Sequence, residues 1–282
     1  MINKKIIICS TIKNEGNNLN KFFKIIDNII LMFEEYFLIF VESDSTDNSK
    51  EIIKNYLFNK KGILLSKNLE KSLNRIKKLE ISRNEYLNYI KKSKNLSLFD
   101  YMFVLDADNV NNQLKFKDIE NSLNKEDWNA IFPNQKIFYY DIFALRIENH
   151  LEENFLEKIK NEIGNNQSEN LKKIFKKNMT KFFYLNKNFD KRFINVKSAF
   201  GGLGIYRLEK VLEFSYESFN GTTCEHVKFN KDIDNKYGKL YIDKNLINSY
   251  GINKHTINGI LCSNSVFFAK RFLNKIKCQF IF

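Results

Sequence analysis

The chain has 282 residues, 43% of them apolar and 27 of them Phe; it can bury a sizeable core and is not disordered, despite its many Lys and Asn. A formal net charge of +13 is spread along the chain and not gathered in one stretch, which gives a general attraction for anions: nucleic acid, anionic membrane or phosphorylated substrates. Cys9, Cys224, Cys262 and Cys278 have no C-x-x-C or zinc spacing, no apolar run reaches membrane-span length, and no leader with a cleavage site precedes the first strand. These features argue against structural zinc and a membrane span, and point to reduced thiols in the cytoplasm.

The first 110 residues alternate short apolar runs with helical periodicities, the pattern of βαβ units on a parallel sheet. "KIIICS" predicts a first strand. Leu19, Phe22, Phe23, Ile26, Ile29, Ile30 and Phe33 follow at helical spacing, with Asn17 or Asn18 as the cap. "YFLIFVE" predicts a second strand, and "DSTDNS" supplies turn residues and the cap Asp47 for the helix "KEIIKNYLF". "GILLS" is a third strand, residues 72 to 93 form a long helix, and "YMFVL", with no polar face, is a strand covered on both sides.

Beyond residue 110 the pattern changes. "NAIFPNQ" and "KIFYYDIFAL" predict strands that pair, with Pro133 between them at an edge or turn. Residues 147 to 196 are polar and predict an insertion with two helices. "SAFGGLGIYRLEKVLEF" resumes the apolar pattern, Thr222 or Thr223 caps a helix that opens with Glu225 and His226, and "KLYIDKNLI" is a strand. Residues 263 to 282 form a basic amphipathic helix, packed on its own domain or lying on a membrane surface.

Asp106 and Asp108 follow "YMFVL" immediately, where open parallel sheets bind ligands at the carboxyl ends of their strands. Two carboxylates so close repel, and a divalent cation with an anionic ligand gives the pair a physical purpose. The same spacing in "DID" at 232 to 234 lies in a polar helical stretch and reads as surface. Arg83 falls on the apolar stripe of its helix with Ile76, Leu79 and Ile90, so it needs an anionic partner unless it snorkels at the stripe edge. Asn14 and Glu15 follow the first strand, and Glu42 and Asp44 follow the second. One sheet edge thereby collects the acids. Gly201 and Gly202, in "SAFGGLGIYR", either permit close backbone approach to a sugar or phosphate or serve packing alone.

The order strand-"TIKNE", strand-"ESDSTDNS", "SRNEYL", "VLDADN" resembles the nucleotide-sugar-binding half of GT-A glycosyltransferases, which reads P-x-Y-N-E, D-D-G-S-T-D, A-R-N, D-A-D-D. The resemblance covers residues 5 to 110. Thr11 replaces the proline and "ESDS" replaces "DDGS", so the preferred base is left open. "YYDIFALR", "GGLGIYR" and "CEHVKFN" look more loosely like capsule-type polysaccharide glycosyltransferases.

The resemblance implies an α/β fold: a Rossmann-type, mostly parallel central sheet flanked by helices, in one GT-A-like catalytic domain with a helical insertion. Its nucleotide-sugar-binding half would be 1 to 110 and its acceptor half 111 to 262. Asn14, Glu15, Glu42 and Asp44 would border the nucleoside, Arg83 the base or phosphates, Asp106 the ribose and metal, and Asp108 the metal and pyrophosphate. Asp141 and Arg146 would contact acceptor or donor sugar, or else form a buried salt bridge. Glu225 would be the base, unless it is only a capping acid, and His226 a metal ligand or diphosphate contact, with His255 competing.

The expected activity is transfer of a sugar from a nucleoside diphosphate sugar to a glycan, lipid-linked or protein acceptor. Mn²⁺ or Mg²⁺ would be the cofactor, nucleic acid would not be a partner, and the enzyme would be cytoplasmic, with membrane contact through the basic tail. A nucleotidyltransferase and a basic nucleic-acid-binding module are the rivals. The first lacks a Gly- and Arg-rich phosphate loop after its first strand, and the second is opposed by acidic strand ends.

Overall fold

Strands with no polar face need cover on both sides, and among the described residues five α-helices supply it. The computed structural model describes residues 1 to 152, 185 and 189 to 252. In chain order these form β1 (Ile2–Ile12), α1 (Gly16–Ile30), β2 (Phe33–Ser43), α2 (Ser49–Leu57), β3 (Gly62–Lys67), α3 (Arg75–Lys92), β4 (Tyr101–Leu105) and α4 (Phe116–Leu123). Then follow β5 (Ala130–Gln135), β6 (Phe193–Asn195), β7 (Leu203–Arg207), α5 (Glu225–Tyr237) and β8 (Leu240–Ser249).

All eight described strands join one sheet, in the order β3-β2-β1-β4-β7-β5-β8-β6. β1 pairs in parallel with β2 and β4, β2 with β3, and β5 with β8. β7 runs antiparallel between β4 and β5, and β6 lies antiparallel beside β8. The sheet is therefore mostly parallel, as expected. Because β7 is reversed, its first residues meet the carboxyl end of β4.

Alternating residues of each strand enter opposite cores. Ile7, Cys9, Ile39, Val41, Met102 and Val104 pack toward Tyr86 and Leu87 of α3 and Phe229 and Ile233 of α5. On the other face Ile6, Ile8, Leu38, Phe40, Phe103 and Leu105 meet Leu19, Phe22 and Ile26 of α1 and Ile119 of α4. α1 buries six apolar side chains, worth on the order of 10 kcal/mol as an upper bound. Capping contributes about 1 kcal/mol, so packing decides this helix. It starts at Gly16, its N-cap Glu15 makes no side-chain cap bond, and the expected caps Asn17 and Asn18 lie inside it.

Several other expectations change. α4 has no counterpart in the sequence reading. Pro133 lies inside β5, past Ile131, where the ladder to β7 ends, and beside a register shift against β8, so its missing N–H costs no regular bond. The strand expected over 136 to 145 is absent. Lys136 and Ile137 donate to Ser249 O and Tyr250 O, and the Asp141 carboxylate then accepts from Ala144 N, closing a turn in place of a strand. α5 begins after Cys224, and neither Thr222 nor Thr223 caps it. The two insertion helices, the C-terminal helix and His255 lie outside the described residues; the described end of the insertion supplies β6.

Candidate active site

β1, β2 and β4 end side by side, and the loops that leave β1 and β2 are bonded to one another. Asn14 Oδ1 accepts from Thr46 N at 2.7 Å, Glu15 N donates to Ser49 Oγ at 2.9 Å, and Gly16 N donates to Asp47 Oδ2 at 2.9 Å. Asn14 and Asp44 both take positive φ, 55° and 56°, conformations Asn and Asp tolerate better than other side chains. Glu42 is buried, with one oxygen on Ser45 N at 2.8 Å and the other on Ser66 Oγ at 2.7 Å. Asp44 accepts from Leu69 N at 2.8 Å and Lys78 Nζ at 3.0 Å; the Leu69 N–H first and Lys78 second hold its carboxyl below the usual range. The Glu42 and Asp44 carboxylates are thus held in place at the end of β2.

The centre of the site is Arg83, only 2% exposed. Its Nε donates to Glu225 Oε1 at 2.9 Å and its Nη2 to Asp106 Oδ1 at 3.3 Å. The guanidinium lies 5.0 Å from the Phe200 ring centroid, and Nη1 has no partner among the described residues. The stripe position of Arg83 is thus explained by two carboxylates. Glu225, the first residue of α5, is also buried and tied into this chain of charges.

Asp108 stands at the mouth of the crevice, one side open to solvent, and accepts from Val110 N at 3.3 Å. Partial burial, and next the Asp106 charge, push its carboxyl up to about 7. Asp141 is pushed up to about 6 by burial, against the pull of the Gly201 and Ala144 N–H groups; Asp106 and Glu225 raise it further. Asp106 and Glu225 share the buried guanidinium, and the further carboxyls of Asp108 and Asp141 beside them favour a cation. Asp106 and Asp108 offer carboxylate oxygen, the ligand type of Mg²⁺ and Mn²⁺, and Mg²⁺ is commonly held by one or two carboxylates plus substrate phosphates. The pair fits such an ion.

Gly201 and Gly202 form a tight turn with no room for a side chain. Their φ angles are +65° and +86°, and a Cβ on Gly202 would come within 2.4 Å of Val110 Cγ1. Gly202 O accepts from Asp106 N at 3.0 Å, so this turn sets the position of Asp106. Replacing Gly202 with Ala should lower stability by roughly 1–3 kcal/mol, read as a lower urea midpoint at unchanged slope; an unshifted midpoint would contradict this account of the turn.

His226 lies beside the acids, with Nε2 3.7 Å from Glu225 Oε1. It is 1% exposed, stacked on Phe200 at 3.8 Å between centroids, edge-on to Tyr216, and neither ring nitrogen makes a hydrogen bond among the described residues. Burial, and next Arg83, push its pKa well below 6.5, so it is neutral. Adjacent helix positions point about 100° apart, and Glu225 takes the direction of Arg83. No three His, Cys, Asp or Glu among the described residues form a metal cluster, and the contacts of His226 are with Phe200, Tyr216 and Glu225. Arg146, 2% exposed, turns Nη1 to Phe143 O and Leu145 O at 3.1 and 2.7 Å and braces the backbone there. In the second "DID" Asp232 is partly exposed and pairs with Lys228, whereas Asp234 is buried and pairs with Lys197 at 3.0 Å, which corrects the surface reading for Asp234.

Sequence reasoning missed Phe200, Tyr140 and Asn248. Tyr140 lies among Asp106, Asp108 and Asp141, and its hydroxyl is 3.1 Å from where a Cβ of Gly202 would stand. Asn248 Nδ2 donates to Gly201 O at 2.7 Å and Asn111 Oδ1 at 2.9 Å. A buried Asn in an apolar strand was the available signal.

A mostly parallel sheet with an acidic carboxyl edge, and a reversed strand bringing its turn to that edge, defines a GT-A glycosyltransferase fold. The chain belongs to glycosyl transferase family 2, whose profile matches residues 7 to 185. Among solved structures it is similar to the mannosyltransferase PcManGT from Pyrobaculum calidifontis in complex with GDP-Man and Mn²⁺, at 9% identity over 93% of this chain and 61% of that one, TM-score 0.51. It is also similar to S. aureus TarS 1-349 in complex with UDP-GlcNAc, at 11% identity over 90% and 60% of the two chains, TM-score 0.49. For glucosyl-3-phosphoglycerate synthase from Mycobacterium tuberculosis in complex with UDP the values are 13%, 94%, 78% and 0.46. Identities this low speak to the fold. The chain spans about three fifths of the first two structures' length, and no curated protein matches it significantly.

Proposed function

We propose that this chain is a metal-dependent glycosyltransferase that moves a sugar from a nucleoside diphosphate sugar to a hydroxyl of a glycan, lipid-linked or protein acceptor. The observation that carries this reading is the buried chain Asp106, Arg83, Glu225, which draws β4, α3 and α5 together at the sheet edge beside Asp108.

Arg83 Nη1 holds unused donors for a phosphate or base of the donor. Asp108, with Asp106, would hold Mn²⁺ or Mg²⁺. Bound there, the ion supplies Lewis-acid stabilisation of the leaving diphosphate. Glu225 Oε1 is fixed by Arg83, while Oε2 makes no hydrogen bond among the described residues, leaving it to take the proton of the attacking hydroxyl. The acceptor oxygen bonds to the anomeric carbon, the bond from that carbon to the diphosphate breaks, and the proton ends on Glu225. Attack opposite the leaving group inverts the anomeric centre. Asp141, tied to the Gly201 turn beside the acids, is the contact for donor sugar or acceptor. Among the described residues no helix is long and apolar enough to cross a membrane, and we place the reaction in the cytoplasm, on one catalytic domain. An acidic crevice counts against nucleic acid.

Thermal melting with UDP, GDP and CMP, with and without Mn²⁺, tests the reading. A nucleoside diphosphate at a hundred times its Kd should add about 2.7 kcal/mol, and only when metal is present. Indifference to every nucleotide, together with tight salt-sensitive DNA binding, would sink it.

A further inference from the structure

Away from the acidic crevice, a recess of about 450 Å³ opens between α4, β8 and the segment after Asp108. Lys115, Lys136, Arg192 and Lys244 line it, with Asn121 and one acid, Asp118. A Lys-rich composition scatters lysines over any surface, but three features here are built.

Arg192 is fixed first. Its Nε and Nη2 donate to the two oxygens of Asp243 at 2.9 and 2.7 Å, and Asp243 is fully buried and also accepts from Ser122 Oγ at 2.8 Å. This clamp holds the planar guanidinium and leaves Nη1 without a hydrogen bond among the described residues. Lys244, the next residue after Asp243, is anchored by donating to Phe189 O at 2.5 Å, and it has no carboxylate partner among the described residues. Finally, α4 opens toward the recess with Lys115 as an N-cap that makes no side-chain cap bond. The Phe116 and Lys117 N–H groups therefore stay available to an anion, whereas that of Asp118 donates to Lys115 O at 3.0 Å. Asp118 and Asp243 offset part of the charge.

We infer that this recess is a second anion site, which takes the phosphate monoester of a sugar. A phosphate near pH 7 brings close to two negative charges and three acceptor oxygens, matching a fixed guanidinium, two ammonium groups and a helix N-terminus. The volume leaves room for the sugar, and Asn121 offers an amide to its hydroxyls. A chain of hydrogen bonds links the recess to the crevice: Gln113 N donates to Asn248 O at 2.9 Å, and the Asn248 side chain reaches the Gly201 turn. The inference does not depend on the transfer reaction.

Calorimetric titration with inorganic phosphate and with glucose 6-phosphate, free of divalent metal and at fixed ionic strength, tests it on the intact chain. Glucose 6-phosphate should bind at one site and more tightly than inorganic phosphate. Lys115→Ala with Lys244→Ala should weaken both about tenfold or more, a loss of about 1.4 kcal/mol per factor of ten, while Lys115→Arg with Lys244→Arg retains binding. Both exchanges touch partly exposed lysines and should leave the melting temperature without phosphate unchanged. Equal affinity for the two probes overturns the sugar-phosphate assignment. Absent saturable binding, or unchanged binding in the double Ala variant, overturns the site.

Discussion

Glu225→Gln should lower the rate of sugar transfer by about 10²–10⁴-fold, the usual worth of a positioned general base, and leave metal-dependent nucleotide binding in place. The choice of Gln follows from the contacts. Glu225 Oε1 accepts from Arg83 Nε at 2.9 Å, and both side chains are buried. Gln keeps an acceptor oxygen there and removes only the basic group, whereas Ala would leave a buried guanidinium short of a partner, a loss on the order of 3–5 kcal/mol. Melting temperature separates the two cases, because loss of transfer in a chain that still melts with the wild type reports chemistry. Transfer at near wild-type rate in Glu225→Gln would make Glu225 a brace for Arg83 and nothing more.

Asp108→Asn should remove the stabilisation that a nucleoside diphosphate gains from Mn²⁺, and without metal it should leave the chain at least as stable above pH 7. The two effects have opposite signs for one reason. The Asp108 carboxyl is pushed up to about 7, by partial burial first and Asp106 second, from about 3.9 in an unfolded chain. Between those values the folded state binds more protons than the unfolded one, so metal-free stability falls as pH rises through the window, and Asn abolishes that fall. The cation needs the deprotonated group. Metal affinity of the wild type should therefore increase with pH through about 7, with proton release on binding that calorimetry in buffers of different ionisation enthalpy can count. Metal affinity that is flat with pH, or an Asn variant that still responds to Mn²⁺, would detach Asp108 from the ion.

The order of the early strands and the acids at their ends were legible because a buried strand followed by polar residues is a local pattern. So was the inward direction of Arg83, since helical period fixes its face. The short α4 escaped notice because a helix of eight residues shows too few repeats of the period. The non-strand course of 136 to 145 escaped because the turn is closed by Asp141 and by pairing with the end of β8, contacts that periodicity does not see.

The sequence by itself determined which residues could meet at the carboxyl edge: Asp106 and Asp108 after a strand without polar face, and a cation on a core stripe. Only the tertiary structure decided that Arg83 joins Asp106, 23 residues on, to Glu225, 142 residues on. It also decided that Glu225 bonds to Arg83 while the neighbouring His226 stacks on Phe200, and that the glycines at 201 and 202 make way for Val110 and Gln135. The reason is physical. Periodicity and spacing report what one element does along its own axis, whereas the partners of a buried charge are set by strand order and helix rotation, which arise when separate elements pack.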